Sequence, residues 1–294
     1  MAENKLTWQS KLVLLAVLPF AGTEVVLDCN WWASQAAPVA IWTIGLSALL
    51  GLVTWRLRAA TPAAALTGML ITASLMFSTV VVPYEPWHTA LVPTLAVSLL
   101  AFAATHAGRR QKERLGTAEG RRGRSASQVA ANLGFAALVV SGPAQSWLLD
   151  ARWLPLSLTG GQMPVFPWTL AIAALAEAAA DTASSEIGQV LGGRPRMITS
   201  FKVVDPGRDG AISLAGSLAG VVAAAIVAYA GMWALGGGWI LFKVSCAGAV
   251  FGLFFDSLLG ATLEVRGLLN NDAVNFLSTA SAAGFALAMM CAMH

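Results

Sequence analysis

The chain is poor in charge. Only 11% of its 294 residues are Asp, Glu, Lys or Arg, against about a quarter in an ordinary soluble domain. It is 57% hydrophobic, with a mean hydropathy of +0.69. One soluble core of this length could not hide so much apolar surface, so lipid is the matching solvent. Cysteine is scarce as well. Cys29, Cys246 and Cys291 show neither metal-ligand nor redox spacing and read as small packing residues. Histidine is confined to His88 in an outer turn, His106 at the edge of an apolar run, and His294. None stands in a nucleophile or metal motif, which argues against His-based catalysis. The short alternating strands of a barrel are missing, so spanning segments are expected to be helical. There is no Walker A sequence and no convincing internal repeat. The basic, apolar N-terminus lacks an A-x-A cleavage site, so a retained first helix is expected.

What the chain does have is a series of apolar windows long enough to span. They fall at about 8–27, 39–55, 62–82, 87–105, 129–149, 167–190, 212–234, 239–260 and 273–292. The expectation is an all-α, polytopic integral membrane bundle. The second window is short and the first carries Glu24, so eight or nine spans are expected. With the N-terminus in the cytoplasm and nine spans, the inner segments hold Lys5, Lys11, Arg56, Arg58, the basic run within 106–128, Arg194, Arg196, Lys202, Arg208 and Arg266. Only Arg152 falls outside, and Lys243 lies within a span. The positive-inside rule selects that orientation. The net charge of +3 then belongs to one membrane face and is no sign of nucleic-acid binding.

Residues 106–128 divide four spans (1–105) from five (129–294), and the latter carry the candidate site. This basic loop reads as an anchor on anionic headgroups, with phosphate-ligand binding as the alternative. Gly216–Gly220 and Gly248–Gly252 each form G-x-x-x-G. Close intramolecular packing is the default for such pairs, and a homodimer is kept among the partners.

The informative stretch is "EAAADTASSEIGQVLGGRPRMITSFKVVDPGRDG", 177–210. An ionisable residue at the centre of a span costs about 2.5–3.5 kcal/mol on insertion scales, so a tolerated one faces the protein interior. Glu177, Asp181, Ser184 and Ser185 share one helical stripe. Glu186 falls on the other side, and joins them only if the helix unwinds near Gly188 or a neighbouring helix meets it there. The next loop sets Arg194, Arg196, Lys202 and Arg208 beside Gly192, Gly193, Gly207 and Gly210. Such glycines let backbone N–H groups approach an anion, and the helix entered near Ser213 offers it a positive end. Asp256 and Glu264, then Asn271, Asp272 and Asn275, repeat the theme at two later helix ends. Carboxylates with amides are hard oxygen ligands suited to Mg²⁺, and Arg and Lys suit phosphates.

Five ordered blocks resemble one known family. They are "GRRGRSASQVAANLG", "ADTASSEIG", "RPRMITSFKVVDPGRDGAIS", "DSLLGATLE" and "NDAVNFLST". The chain is similar, over roughly 56–290, to the membrane proteins that include plant phytyl-phosphate kinase and animal transmembrane protein nineteen. It departs from them at Ala183, where the family favours Trp. Gly207–Ala211 replaces G-T-N-G-G, and Asn132–Gly134 replaces N-G-G. The resemblance implies a helical kinase, distantly akin to dolichol kinase and CDP-diacylglycerol synthase. It would move a phosphoryl group from CTP or another nucleoside triphosphate to an isoprenoid monophosphate lipid. Asp181, Glu186, Asp256 and Asp272 are then the expected Mg²⁺ ligands, and Asp181, Glu186, Lys202 and Asp256 the expected catalytic groups. Arg196, Thr199, Ser185, Asp209, Gly210, Ser213, Asn271 and Asn275 are expected on nucleotide or substrate. The site would face the cytoplasm of a bacterial-type inner membrane. The rival readings are a CTP-dependent lipid nucleotidyltransferase and an ion-coupled transporter.

Overall fold

The computed structural model describes residues 6–116, 123–150 and 165–293. Lys5, Arg121, Arg122, Arg152 and His294 lie outside the described residues. The described chain is helical almost throughout: α1 (Thr7–Gln35), α2 (Ala37–Arg56), α3 (Pro62–Phe77), α4 (Leu91–His106), α5 (Arg109–Leu115), α6 (Ala126–Val140), α7 (Gly142–Asp150), α8 (Val165–Leu191), α9 (Leu214–Leu235), α10 (Gly238–Leu259) and α11 (Asn271–Ala292). A π-helical turn, Gly260–Glu264, extends α10. Strands β1 (Arg196–Met197) and β2 (Ala211–Ile212) pair antiparallel in the loop between α8 and α9.

Local chemistry sets the helix starts. Thr61 caps α3 ahead of Pro62, accepting from Ala64 N at 3.2 Å. Ser125 and Gln128 form a capping box on α6. Ser213 caps α9, and Asn270 caps α11. Each cap satisfies an N–H that the first turn cannot.

Among the described residues, five helices are long and apolar enough to cross a membrane: α1, α2, α9, α10 with its π turn, and α11. α4 and α5, bent by 60° at a short break, make a sixth if counted as one. α3 and α6 are apolar but shorter. The window at 62–82 ends its helix at Phe77, short of Pro83, and the window at 129–149 breaks between Val140 and Gly142–Pro143. Proline lacks the N–H that a helix interior needs. α8 has the length but holds three acids, Glu177, Asp181 and Glu186.

α8 is the axis of the bundle. It packs against α4, α6, α9, α10 and α11, and every residue from Phe166 to Ala180 is buried. Its alanine-rich surface permits this close approach. A Cβ on Gly220 of α9 would sit 2.9 Å from Ala180 O, and one on Gly252 of α10 would sit 2.6 Å from Glu177 Cγ. Both G-x-x-x-G pairs are therefore spent on packing within the chain.

The helix ends gather on two opposite faces. On the basic face, Gln9 Nε2 donates to Leu268 O at 2.9 Å, and Gln111 Nε2 donates to Val190 O at 3.0 Å. Ala60 and Arg124 form a parallel bridge there. On the other face, Trp168 Nε1 donates to Ser78 O at 3.3 Å, and His88 Nδ1 lies 3.1 Å from Ala234 O.

Candidate active site

At the basic end of α8 lies a cavity of about 310 Å³. α8 contributes Asp181, Ser184, Ser185 and the edge of Glu186. The end of α10 brings Asp256, and the π turn brings Glu264. α11 adds Asn271 and Asn275, one turn apart. Arg124, Gln128 and Asn132 come from the start of α6, and Arg208, Asp209 and Gly210 close the cavity from the loop. Residues far apart in sequence thus meet because their helix ends share one face.

Glycine fixes the loop against the π turn. Gly210 has φ +73°, and a Cβ there would stand 2.4 Å from Ala261 N. No other residue type fits both the left-handed backbone and the contact. Ser213 lines the cavity and caps α9, accepting from Gly216 N at 3.1 Å. The positive end of that helix therefore lies at the cavity rim, where an anion is favoured.

The electrostatics are uneven. Asp181 and Asp256 lie within electrostatic reach of each other, and Arg124 acts on Asp181. The Arg124 guanidinium donates through Nη2 to Thr182 Oγ1 at 3.2 Å. Asp256 Oδ2 and, one turn deeper than Asp181, Glu177 Oε1 are buried without a hydrogen-bond partner. Buried polar atoms are seldom left so. Partial burial holds the Asp209 carboxyl above the ordinary range, against the pull of Arg208. Among the described residues, no three His, Cys, Asp or Glu side chains are spaced to hold a metal ion by themselves. Asp181 and Asp256 with the amides of Asn271 and Asn275 form a smaller oxygen set, of the kind Mg²⁺ takes when phosphates complete its shell.

The cavity collects Asp181, Ser185, Glu186, Asp209, Gly210, Ser213, Asp256, Asn271 and Asn275 from the residues expected in a site. It does not collect Lys202, Arg196, Thr199 or Asp272. Arg196 is exposed, and its Nη1 donates to Phe201 O at 2.9 Å, because the hairpin turns it back on its own loop. Lys202 and Thr199 are exposed on that hairpin. Asp272 is buried on the far side of α11 and accepts from Ser10 Oγ at 2.6 Å. Some hydroxyls are already engaged: Ser185 Oγ donates to Thr182 O at 3.2 Å. α8 stays regular through Glu186, which instead meets Lys112 of α5 in a buried ion pair.

Several residues escaped the sequence reading of the site, Thr182, Gln189, Ser257 and Arg208 among them. Arg124, Gln128 and Asn132 line the cavity, and Lys112 pairs with Glu186. A signal existed for Gln128, the last residue of the Ser-x-x-Gln capping pattern that follows a basic, glycine-containing run.

The family described as integral membrane protein DUF92 matches residues 45–283. An uncharacterized membrane protein of Methanocaldococcus jannaschii, MJ0933, is 42% identical over 116 residues, which are 39% of this chain and 48% of that protein. The uncharacterized membrane protein sll0875 of Synechocystis is 30% identical over 209 residues, 68% of this chain and 73% of that protein. The chloroplastic protein VTE6 of Arabidopsis thaliana is 29% identical over 190 residues, 62% of this chain and 53% of that protein. The chain thus spans about half the length of the archaeal and plant relatives. No solved structure matches it.

Proposed function

The chain belongs to the DUF92 family of integral membrane proteins, and we propose, from its cavity and its resemblance to the phytyl-phosphate kinases, that it is a membrane kinase. In this reading it passes the terminal phosphoryl group of a nucleoside triphosphate, CTP foremost, to an isoprenoid monophosphate. The observation that carries the reading is that Asp181 and Asp256 line one cavity, where Asp256 Oδ2 has no partner and Arg124 and Arg208 line the same walls. The five blocks that resemble the phytyl-phosphate kinase family support the same chemistry.

Asp181 and Asp256, with Asn271 and Asn275, would hold Mg²⁺. When bound, the ion supplies neutralisation of phosphate charge. Arg124 and Arg208 would hold triphosphate oxygens, joined by the N–H groups at the start of α9. The acceptor is already an ionised phosphate and needs little help from a base. One of its oxygens bonds to the terminal phosphorus while the bond to the bridging oxygen breaks. The products are a lipid diphosphate and a nucleoside diphosphate. Positioning and electrostatics carry most of the acceleration.

The full topology belongs to the same proposal. α8, α3, α6 and the α4–α5 pair act as spans beside the five long helices, giving nine crossings with the N-terminus in the cytoplasm. The cavity then faces the cytoplasm of a bacterial-type inner membrane, where soluble nucleotide and lipid meet.

The test uses purified full-length protein with geranylgeranyl or phytyl monophosphate and Mg²⁺. CTP labelled in the terminal phosphate is expected to leave its label in the lipid and release CDP. Label from the α-phosphate in the lipid, with pyrophosphate released, would establish nucleotidyl transfer instead.

A further inference from the structure

A second cavity, of about 430 Å³, lies beside the acidic one, between α2, α3, α4, α6 and α8. Its walls are largely apolar, with Leu50, Val97, Ala101, Val129 and Leu133 among them. Its mouth on the basic face carries Arg58, Arg109 and Arg124. We propose that this cavity seats a prenyl phosphomonoester, its chain among the apolar walls and its phosphate on Arg58, Arg109 and Arg124. That the bound lipid is the phosphoryl acceptor rests on the kinase reading; its seat does not.

Three features of the backbone build the cationic mouth. Arg124 N donates to Ala59 O, and Thr61 N donates to Arg124 O, both at 3.0 Å. These bonds staple the loop after α2 to the loop before α6 and bring two arginines to one opening. Arg58 holds a left-handed backbone, φ +57°, a conformation that most side chains avoid and that a folded site must impose. Gly123, φ +74°, lets the two loops touch, since a Cβ there would come 2.6 Å from Arg58 O. Arg109 reaches the mouth from the other side and shares an ion pair with Glu113 at 3.3 Å.

The two cavities are not separate. Arg124 and Asn132 line both. An anion on Arg58 and Arg109 therefore lies across a shared wall from an anion on Arg208, with the Arg124 guanidinium between them. Guanidinium groups match phosphate oxygens in charge and geometry, and a site of this size is in the normal range for small ligands. An apolar interior with a cationic rim fits a molecule with one long greasy chain and a phosphate at its end. A free phosphate has no use for the interior, and a prenyl alcohol none for the rim.

The experiment is photolabelling of the full-length protein in phosphatidylcholine nanodiscs, without nucleotide. The probe is a prenyl monophosphate with a diazirine near the chain end. Labelled residues should map to the walls formed by α3, α4 and α6. Unlabelled prenyl monophosphate should compete, while prenyl alcohol, phosphatidic acid and inorganic phosphate should not. Arg58→Ala should weaken capture about tenfold. Gly68→Leu and Ala101→Phe should each fill the cavity and cut labelling by about tenfold or more. Gly68 tolerates a side chain, since a Cβ there meets only Val129 Cγ1, at 3.7 Å. CTP binding by the two filling variants should stay within about twofold, which separates a blocked cavity from a misfolded chain. Labels on outward helix faces, or filling variants that label like wild type, would overturn the proposal. Equal competition by phosphatidic acid would overturn it too, by making the cavity a general lipid-phosphate site. Capture as described without phosphoryl transfer would remove the kinase reading and leave this site standing. Transfer with labels elsewhere would do the opposite.

Discussion

Lys112 and Glu186 form a buried ion pair that ties α5 to the central helix α8. Lys112 is 1% exposed, and its ammonium also donates to Ala104 O at 2.8 Å and Thr105 O at 3.2 Å. A charge from the basic loop is thus folded inward, and the C-terminal carbonyls of α4 complete its shell. The pair sits where Glu186 edges the acidic cavity, so it also sets the position of that wall.

Removing one partner should cost more than removing both. Lys112→Met leaves the Glu186 carboxylate buried and uncompensated, with an expected loss of about 3–5 kcal/mol. The double variant Lys112→Met, Glu186→Gln should recover much of it. Unfolding in detergent, read as a double-mutant cycle, measures the coupling. Additive losses would mean that the pair does not exist in the protein.

Gly210 should not accept alanine. The left-handed backbone and the 2.4 Å approach to Ala261 N both forbid a Cβ. Gly210→Ala is expected to cost about 1–3 kcal/mol and to push the loop off the π turn. Protease cleavage within 203–209 should rise sharply. Gly193 is the control, because it shares the positive φ but has open space around it. Its alanine variant carries the backbone strain without the clash and should raise cleavage within 203–209 much less than Gly210→Ala does.

Asp209 supplies a pH signature. Its carboxyl is held above the ordinary range by burial, with Arg208 opposing. The folded chain therefore holds this proton more tightly than the unfolded chain does. The stability it contributes is complete below the unfolded value of about 4 and fades as pH rises through the folded value. Asp209→Asn should abolish that fall, so the difference in stability between the two proteins should change sign-consistently from pH 3 to neutrality. A difference that is flat with pH would exclude the shift. Arg208→Ala should move the titration further up.

Much of the cavity's polar lining was legible because acids in lipid are expensive. Asp181 and Asp256 stand out in apolar helices, and the cost of burial alone says that they face inward together. Asn271 and Asn275 followed from their spacing. Asp272 did not: it sits next to Asn271, but about 100° round the helix, and only the packing of α1 on α11 shows that it meets Ser10 instead. The sequence reading preferred Arg196 and Lys202 to Arg208, and the cavity holds Arg208 and neither of the other two. The folded loop separates them: Arg196 turns back onto Phe201 O and Lys202 is exposed, while Arg208 lines the cavity. Arg124 was hidden by its neighbours. In a run of basic residues that sets topology, nothing local marks the one whose backbone will pair with Ala59. The helical class and the window positions were readable from hydropathy. The helix ends at Phe77 and Val140 were less so, since apolar composition runs on past both.

We propose that one cavity, built by Asp181 and Asp256, binds nucleoside triphosphate with a divalent ion. Equilibrium titration of Mg²⁺–CTP into the purified protein tests it most directly, across wild type, Asp181→Asn, Asp256→Asn, Arg196→Ala and Lys202→Ala. The expected result is a loss of about tenfold or more in each Asp variant, with the hairpin variants within about twofold of wild type. Unchanged affinity in both Asp variants, with binding lost in Arg196→Ala or Lys202→Ala, would contradict the account and move the nucleotide to the hairpin.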